Sequence, residues 1–388
     1  MANDRILTTH TGSLPRPEAV VRMLSERDEG SEQDVAANEA LLVRAVGECV
    51  DRQIAAGIDI VSDGELGKPS YATYVKDRLT GFSGESDFPR PADLARYPDY
   101  ARVVLGHSAI TSLKTPACNG PIAYRDRYAI TQELSRFRDA LRGRARGFVT
   151  AASPGVIALY LKNRHYRSHE SYLDILSHAM KAEYRAVHDA GFVLQLDCPD
   201  LAMSGHMQYA GLSLKEFRKT LAQGVEALNH AVADIPPERM RIHVCWGNYS
   251  GPHDRDVELK DIVDILLSAR PRGISFAAAN PRHAHEWAVW QQIHIPEDKV
   301  LIPGVIDSTT NFVEHPALIS ERILRFVNIV GADRVIAGTD CGFSTFAGMN
   351  VVHPSIAWAK LEALAQGAEV ARRALRTAPR PQIVVAHS

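Results

Sequence analysis

The sequence predicts an α/β chain closed into a (β/α)8 TIM barrel. Three observations carry that reading. First, short β-branched runs alternate with longer helical patterns, the signature of βαβ units and a parallel sheet. Second, the runs number eight: Ile6–Thr9, Ile58–Ser62, Phe148–Ala151, Val193–Asp197, Arg241–Cys245, Gly273–Ala277, Lys299–Pro303 and Arg334–Gly338. Third, several strands are entered by one device, a helix ending at glycine directly before an apolar run. Ala-Gly57-Ile-Asp-Ile and Ala-Gly191-Phe-Val-Leu are examples, and glycine suits the left-handed end of a helix. A doubly wound open sheet is the alternative, but eight repeating units of this size favour closure.

Helical patterns occupy the intervals. Asn38–Ala56 precedes the second strand, Ser171–Ala190 the fourth and Leu214–Ala233 the fifth. Ile262–Ala269 precedes the sixth and Pro316–Val330 the eighth. Between the second and third strands the periodicity fails. Residues 70–119 are rich in Pro, Gly, Tyr and Arg and read as an insertion, a small hairpin or lid, on a single barrel spanning residues 1–388. Residues 377–388 read as a loose tail.

Bulk properties set limits on function. A chain of 388 residues with 45% apolar and 23% charged residues is ordinary for a globular protein with a large core. Its net charge of −2 gives no electrostatic reason to expect nucleic acid or an anionic membrane as partner. No apolar run approaches the ~20 residues that span a bilayer. The start, Met-Ala-Asn-Asp-Arg, lacks the profile of a signal peptide, so a cytoplasmic address is expected. A homo-oligomer is allowed. Five cysteines are too few and too scattered for a disulfide framework; Cys49 and Cys118 read as packing residues.

In a closed barrel the active site forms at the C-terminal ends of the strands. Polar residues gather there: Glu65, Asp197-Cys198, His243-x-Cys245, Asp307 and Asp340-Cys341. His243 and Cys245 lie two apart on one strand and therefore share a face. A thiolate after the eighth strand can reach across the mouth to join them. Imidazole plus thiolates is a donor set that zinc prefers, and three protein ligands leave a place for substrate. On spacing alone, a core histidine with buried cysteines explains the same pattern.

At a finer grain the chain resembles the catalytic barrel of cobalamin-independent methionine synthases, and within that family the epoxyalkane:coenzyme M transferase (2-hydroxypropyl-coenzyme M lyase) branch. The stretches that carry the likeness are Thr-Thr-His-Thr-Gly-Ser-Leu-Pro-Arg (8–16), Gly-Ile-Asp-Ile-Val-Ser-Asp-Gly-Glu (57–65) and Leu-Asp-Cys-Pro-Asp-Leu-Ala (196–202). His-Val-Cys-Trp-Gly-Asn (243–248), Asn-Pro-Arg-His-Ala-His-Glu-Trp (280–287) and Gly-Thr-Asp-Cys-Gly (338–342) complete the set. The resemblance implies a barrel of the uroporphyrinogen decarboxylase/methionine synthase type. It also implies zinc held by His243, Cys245 and Cys341, and alkyl transfer from a small electrophile (a methyl donor or an epoxide) to a small thiol. By the same carry-over Ser13 helps place the thiol substrate, and Glu65 and Asp197 face its amine. Without the family, Ser13 is a turn residue, Glu65 a loop acid and Asp197 a cap or ion pair. Arg16, Arg282 and the arginines of the insertion are candidates for an anionic substrate group.

The chemistry follows from thiol acidity. A free thiol with a pKa near 8.5 is only about 3% thiolate at pH 7. Binding to zinc deprotonates it, an advantage of about 2 kcal/mol, and sulfur-rich ligation keeps the bound thiolate nucleophilic.

Two departures stand out. The family's fourth ligand, a glutamate ending the sixth strand, aligns with Ala277; water, substrate or Cys198 is left to complete the shell. The histidine that the family carries after the seventh strand is replaced by Asp307-Ser308-Thr309-Thr310. Asp307, then His283 or His285, are the candidates for the missing acid, although the histidines also read as packing or capping residues. Two further readings stay open: a metal-free decarboxylase-like barrel, and a barrel that binds a thiol or corrinoid-related ligand without turnover.

Overall fold

A computed structural model of the chain describes residues 6–32, 34–87, 90–106, 115–125 and 127–377. Eight parallel strands form the barrel: β1 (Leu7–Thr8), β2 (Ile60–Val61), β3 (Arg146–Ala152), β4 (Val193–Asp197), β5 (Met240–Val244), β6 (Gly273–Phe276), β7 (Val300–Ile306) and β8 (Ile336–Thr339). Seven neighbouring pairs run round the sheet from β1 through β8 back to β2. A parallel bridge from Thr9 to Ile60 joins the two ends. The open-sheet alternative is thereby set aside. Gly57 and Gly191 adopt φ of 84° and 87°, the left-handed helix ends expected before β2 and β4.

The helices cover the outside because their sequences carry one apolar stripe each. Leu214–Ala231 starts at a capping box, Ser213 with Glu216, and buries Phe217, Leu221, Val225 and Leu228 at helical spacing. His169–Asp189 starts at Ser168, whose hydroxyl accepts from Ser171 N, and buries Leu173, Leu176, Met180, Tyr184 and Val187. Pro316–Val330 matches its expected bounds. One long element was missing from the sequence reading, the helix Pro354–Thr377. Its buried face mixes Trp358, Leu361 and Leu364 with the small residues Ala357, Gly367, Ala368 and Ala371. A side chain on Gly367 would come within 2.4 Å of Ile319, so the last two helices pack closely.

The stretch between β2 and β3 holds a short antiparallel pair, Phe82–Ser83 with Ala117–Cys118, and the helix Pro98–Gly106. It is stitched to the loops at the barrel mouth. Asp93 accepts from the Tyr249 hydroxyl at 2.7 Å and from His253 N at 2.9 Å, and Tyr71 N donates to Thr345 O. Part of the predicted insertion, residues 88–89 and 107–114, lies outside the described residues, as does the predicted tail beyond Thr377. Among the described residues, no helix is long and apolar enough to cross a membrane.

Candidate metal centre and active site

Strand register lines up the site before any side chain is considered. Asp197 of β4 pairs with His243 of β5, and His243 pairs with Ser275 of β6. Along β5 the period-2 alternation sends Arg241, His243 and Cys245 to the same side. Arg241 is buried and donates to Gln195 Oε1 at 2.8 Å, Thr9 Oγ1 at 3.0 Å and His10 O at 2.9 Å. Gln195 in turn donates to Asp197 Oδ1 at 2.8 Å. A polar layer thus fills the barrel beneath the mouth and fixes Asp197 from below.

His243, Cys245 and Cys341 converge. Their ligand atoms lie within 4.8 Å of one another, and all three residues are buried. The two sulfurs stand 3.9 Å apart. Sulfurs about 2.3 Å from a shared zinc ion at the tetrahedral angle would stand about 3.8 Å apart. His243 Nδ1 lies 3.4 Å from Ser275 Oγ, while its Nε2 is buried with no hydrogen-bond partner. An unpartnered buried nitrogen is costly, and a lone pair facing two thiols is a natural metal ligand. The Cys341 thiol donates towards Cys245, and that contact, with His243 beside it, favours the thiolate at Cys245 against the opposing effect of burial. The donor set fits zinc.

Around the trio lie the sequence-predicted substrate residues. Ser13 is buried beside the Cys341 loop: Phe343 N donates to its carbonyl at 2.8 Å, and a side chain on Gly342 would come within 2.0 Å of its hydroxyl. Glu65 sits at φ 56°, a strained region for a non-glycine residue. Its carboxylate lies close against Gly12, where a Cβ would meet Oε1 at 2.4 Å. Burial pushes Glu65 up to about 6, against the pull of Lys68 and Arg16. Burial, then the charge of Glu65, pushes Asp197 well above the carboxylate range. The two acids lie close enough for their charges to oppose each other, and Oε2 of Glu65 has no hydrogen-bond partner.

No family model matches the chain. It is 22% identical over 377 residues to methionine synthase of Saccharolobus solfataricus, covering 95% of this chain and 96% of the relative. It is 24% identical over 371 residues to methionine synthase of Thermococcus kodakarensis, covering 95% and 94%. The likeness to methionine synthases runs end to end. Among solved structures, the B12-independent methionine synthase from Shewanella sp. W3-18-1, in complex with selenomethionine, superposes with a TM-score of 0.72 at 20% identity, covering 96% of this chain and all of that one. The putative B12-independent methionine synthase from Listeria monocytogenes gives 0.64 at 17%, covering 94% and 98%. At these identities the superpositions establish the barrel fold expected from the sequence.

Other sequence-predicted residues are placed differently. His283 is not poised at the trio: Nε2 contacts Asp256 at 2.9 Å and Nδ1 contacts Glu286 at 2.8 Å, and its ring stacks on Trp246. Burial opposes its charge, but these two carboxylates raise its pKa to about 9. Arg282 and His285 are exposed. Arg16 is engaged with backbone, donating to Glu65 O and Lys68 O at 2.9 Å. Of the arginines in the insertion, Arg78 and Arg96 are paired with Glu133 and Asp254. Cys198 directs its thiol to Leu196 O at 3.4 Å and is not grouped with the metal trio. Asp307, at the end of β7, accepts from Thr309 N and Oγ1 at 2.8 Å. Ala277 is buried at the end of β6.

Sequence reasoning missed several residues that shape the site. Lys68 donates to Thr150 O at 2.7 Å. Burial disfavours its charge, yet Glu133, Asp63 and Glu65 raise its pKa to about 12. Asn248 joins three loops, donating to Gly342 O and accepting from the Ser308 hydroxyl, both at 2.8 Å. Tyr71 and Tyr160 pair their hydroxyls at 2.8 Å near enough to Cys245 and Cys341 to feel their charge. Arg241 was legible from its inward phase two residues before His243; Lys68, Tyr71 and Asn248 come from loops with no periodic signal, and Tyr160 ends the short helix Pro154–Tyr160.

Proposed function

We propose that this chain is a zinc-dependent transferase that alkylates a small thiol, methyl being the group carried. One observation carries the reading: an imidazole and two thiols, distant in sequence, meet at the barrel mouth with His243 Nε2 unpartnered. The methionine synthases that match the chain end to end support methyl transfer over hydroxyalkyl transfer from an epoxide, to which the coenzyme M transferase resemblance points.

His243, Cys245 and Cys341 would hold the zinc, which when bound supplies a Lewis-acidic centre that favours the thiolate form of a thiol substrate. The chain does the rest. Glu65 and Asp197, both buried, accept an ammonium group and so select an amino-acid thiol. The Ser13 hydroxyl, beside the Cys341 loop, orients that thiol. Lys68 offsets the negative charge of Glu65. Tyr71, Tyr160 and Phe346 form an aromatic wall, their rings 5.9–6.4 Å apart, that keeps water from the reacting sulfur. Asp307 is the acid nearest the role of the absent histidine; Arg282 and His283 take no part.

The test is a product assay. Homocysteine and coenzyme M are each paired with methylated folates, methylcorrinoids and short epoxides, using purified protein loaded with zinc. A methylated thiol formed by wild type and lost in Cys341→Ala supports the reading. No product from any pair would favour a barrel that binds without turnover, and alkylated thiol formed by metal-free protein would contradict the zinc dependence.

A further inference from the structure

A second set of metal-ligating side chains lies on the outside of the barrel. Asp174 and His178 stand one turn apart on the helix His169–Asp189, and His230 is in the last turn of the helix Leu214–Ala231. All three are exposed, and their ligand atoms lie within 4.8 Å of one another. None belongs to the methyl-transfer site.

Two details distinguish this group from a chance surface contact. His178 Nδ1 lies 2.9 Å from the Asp174 carbonyl oxygen. A carbonyl only accepts, so Nδ1 carries the proton and the Nε2 lone pair is left facing outward. That lone pair faces His230 Nε2 at 3.4 Å, with ring centroids 4.8 Å apart and planes at 50°. Two imidazole nitrogens bound to one zinc at 2.0–2.1 Å with tetrahedral geometry stand about 3.3–3.4 Å apart. A ligating histidine whose other nitrogen donates to a carbonyl is also the usual outer-shell arrangement. The Asp174 carboxylate, 3.4 Å from His178 Nδ1, lies on the protonated side of that ring and adds negative charge as an outer-shell partner.

We propose that His178, His230 and Asp174 form a peripheral site for a divalent transition cation of the zinc, nickel or copper type, cross-linking two neighbouring helices of the outer ring. Imidazole nitrogens select these cations over magnesium or calcium, which take oxygen ligands. Water fills the open positions, because the site faces solvent. Binding to the folded state alone stabilises the chain by mass action.

Equilibrium dialysis of the full chain against zinc alone separates this site from the barrel mouth. Wild type is expected to bind two equivalents, one tight and one weaker. His178→Ala and His230→Ala each lose the weaker equivalent and keep the tight one. Asp174→Asn weakens it by about 10–100-fold. Cys341→Ala loses the tight equivalent and keeps the weaker one. As a second readout, nickel should raise the melting temperature of wild type but not of His230→Ala. An unchanged zinc stoichiometry in both histidine variants would leave an imidazole–imidazole hydrogen bond only, and would overturn the proposal.

Discussion

Cys245 and Cys341 place their sulfurs 3.9 Å apart although 96 residues of chain separate them. Cys245 follows the end of β5, and Cys341 follows β8, three strands further round the barrel. Their meeting depends on closure of the sheet and on the loop after β8 turning inward. Asp340 holds that turn: its carboxylate accepts from the backbone of Ala278, Ala279 and Asn280 at 2.7–2.8 Å. The residue before Cys341 is thus tied to the loop that follows β6.

Ser275 orients the imidazole of His243 through Nδ1. Ser275→Ala should keep the fold, since the side chain is small, and weaken zinc affinity by about 10–100-fold, the usual cost of removing an outer-shell partner. Competition with a chromophoric chelator measures this. An unchanged affinity would mean that the imidazole is held by packing alone.

Glu65 gives a pH signature. Its pKa is raised from 4.5 to about 6, so between those values the folded chain holds more protons than the unfolded one. Stability from this group therefore falls as pH rises through that window, by about 2 kcal/mol. Denaturant titrations of wild type and Glu65→Gln at pH 4.5 and pH 6.5 should show the fall in wild type and not in the variant. With an amino-acid thiol as substrate, kcat/KM should rise in wild type as the pH passes about 6 and the carboxylate ionises. Parallel stability profiles of the two proteins would refute the assignment.

Asp256 anchors the loops beside the site. Its carboxylate meets His206 at 3.0 Å and His253 and His283 at 2.9 Å, with its side chain fully buried. Burial opposes its ionisation, but the three imidazoles hold its pKa well below the usual carboxylate range. Its contribution is therefore present above about pH 4 and is lost as pH falls. The His283 contribution is full below 6.5 and is lost as pH rises towards 9. Asp256→Asn should cost about 3–5 kcal/mol, most between pH 4 and 6.5 and less near pH 9. Melting curves across that range test it; a pH-independent loss would contradict the linkage.

Ala277 occupies the position that the resemblance assigns to a fourth zinc ligand. Ala277→Glu should tighten zinc binding in the same chelator competition. No change would mean that the carboxylate cannot reach the trio from the end of β6.

The barrel was legible because strands of β-branched residues and helices with one apolar stripe announce themselves by period, and because Gly57 and Gly191 mark helix ends. The pairing of His243 with Cys245 was legible from a shared strand face; that Cys341 meets them came from the resemblance, because spacing alone fits a core histidine with buried cysteines equally well. What stayed hidden has no local signal. His283 looks chemically free in sequence, but Asp256 and Glu286 reach it only after folding. Lys68 and Asn248 act from loops whose course is set by the strands they leave. Cys198 lies close in sequence to Asp197, yet its thiol turns back to its own strand.

Zinc stoichiometry read together with X-ray absorption tests the central claim most directly. Wild type with His178→Ala, which removes the peripheral site, should hold one zinc in a shell of one nitrogen and two sulfur donors, gain a third sulfur when homocysteine is added, and lose the metal in Cys245→Ala or Cys341→Ala backgrounds. A shell without sulfur, or zinc retained by both cysteine variants, would contradict the account.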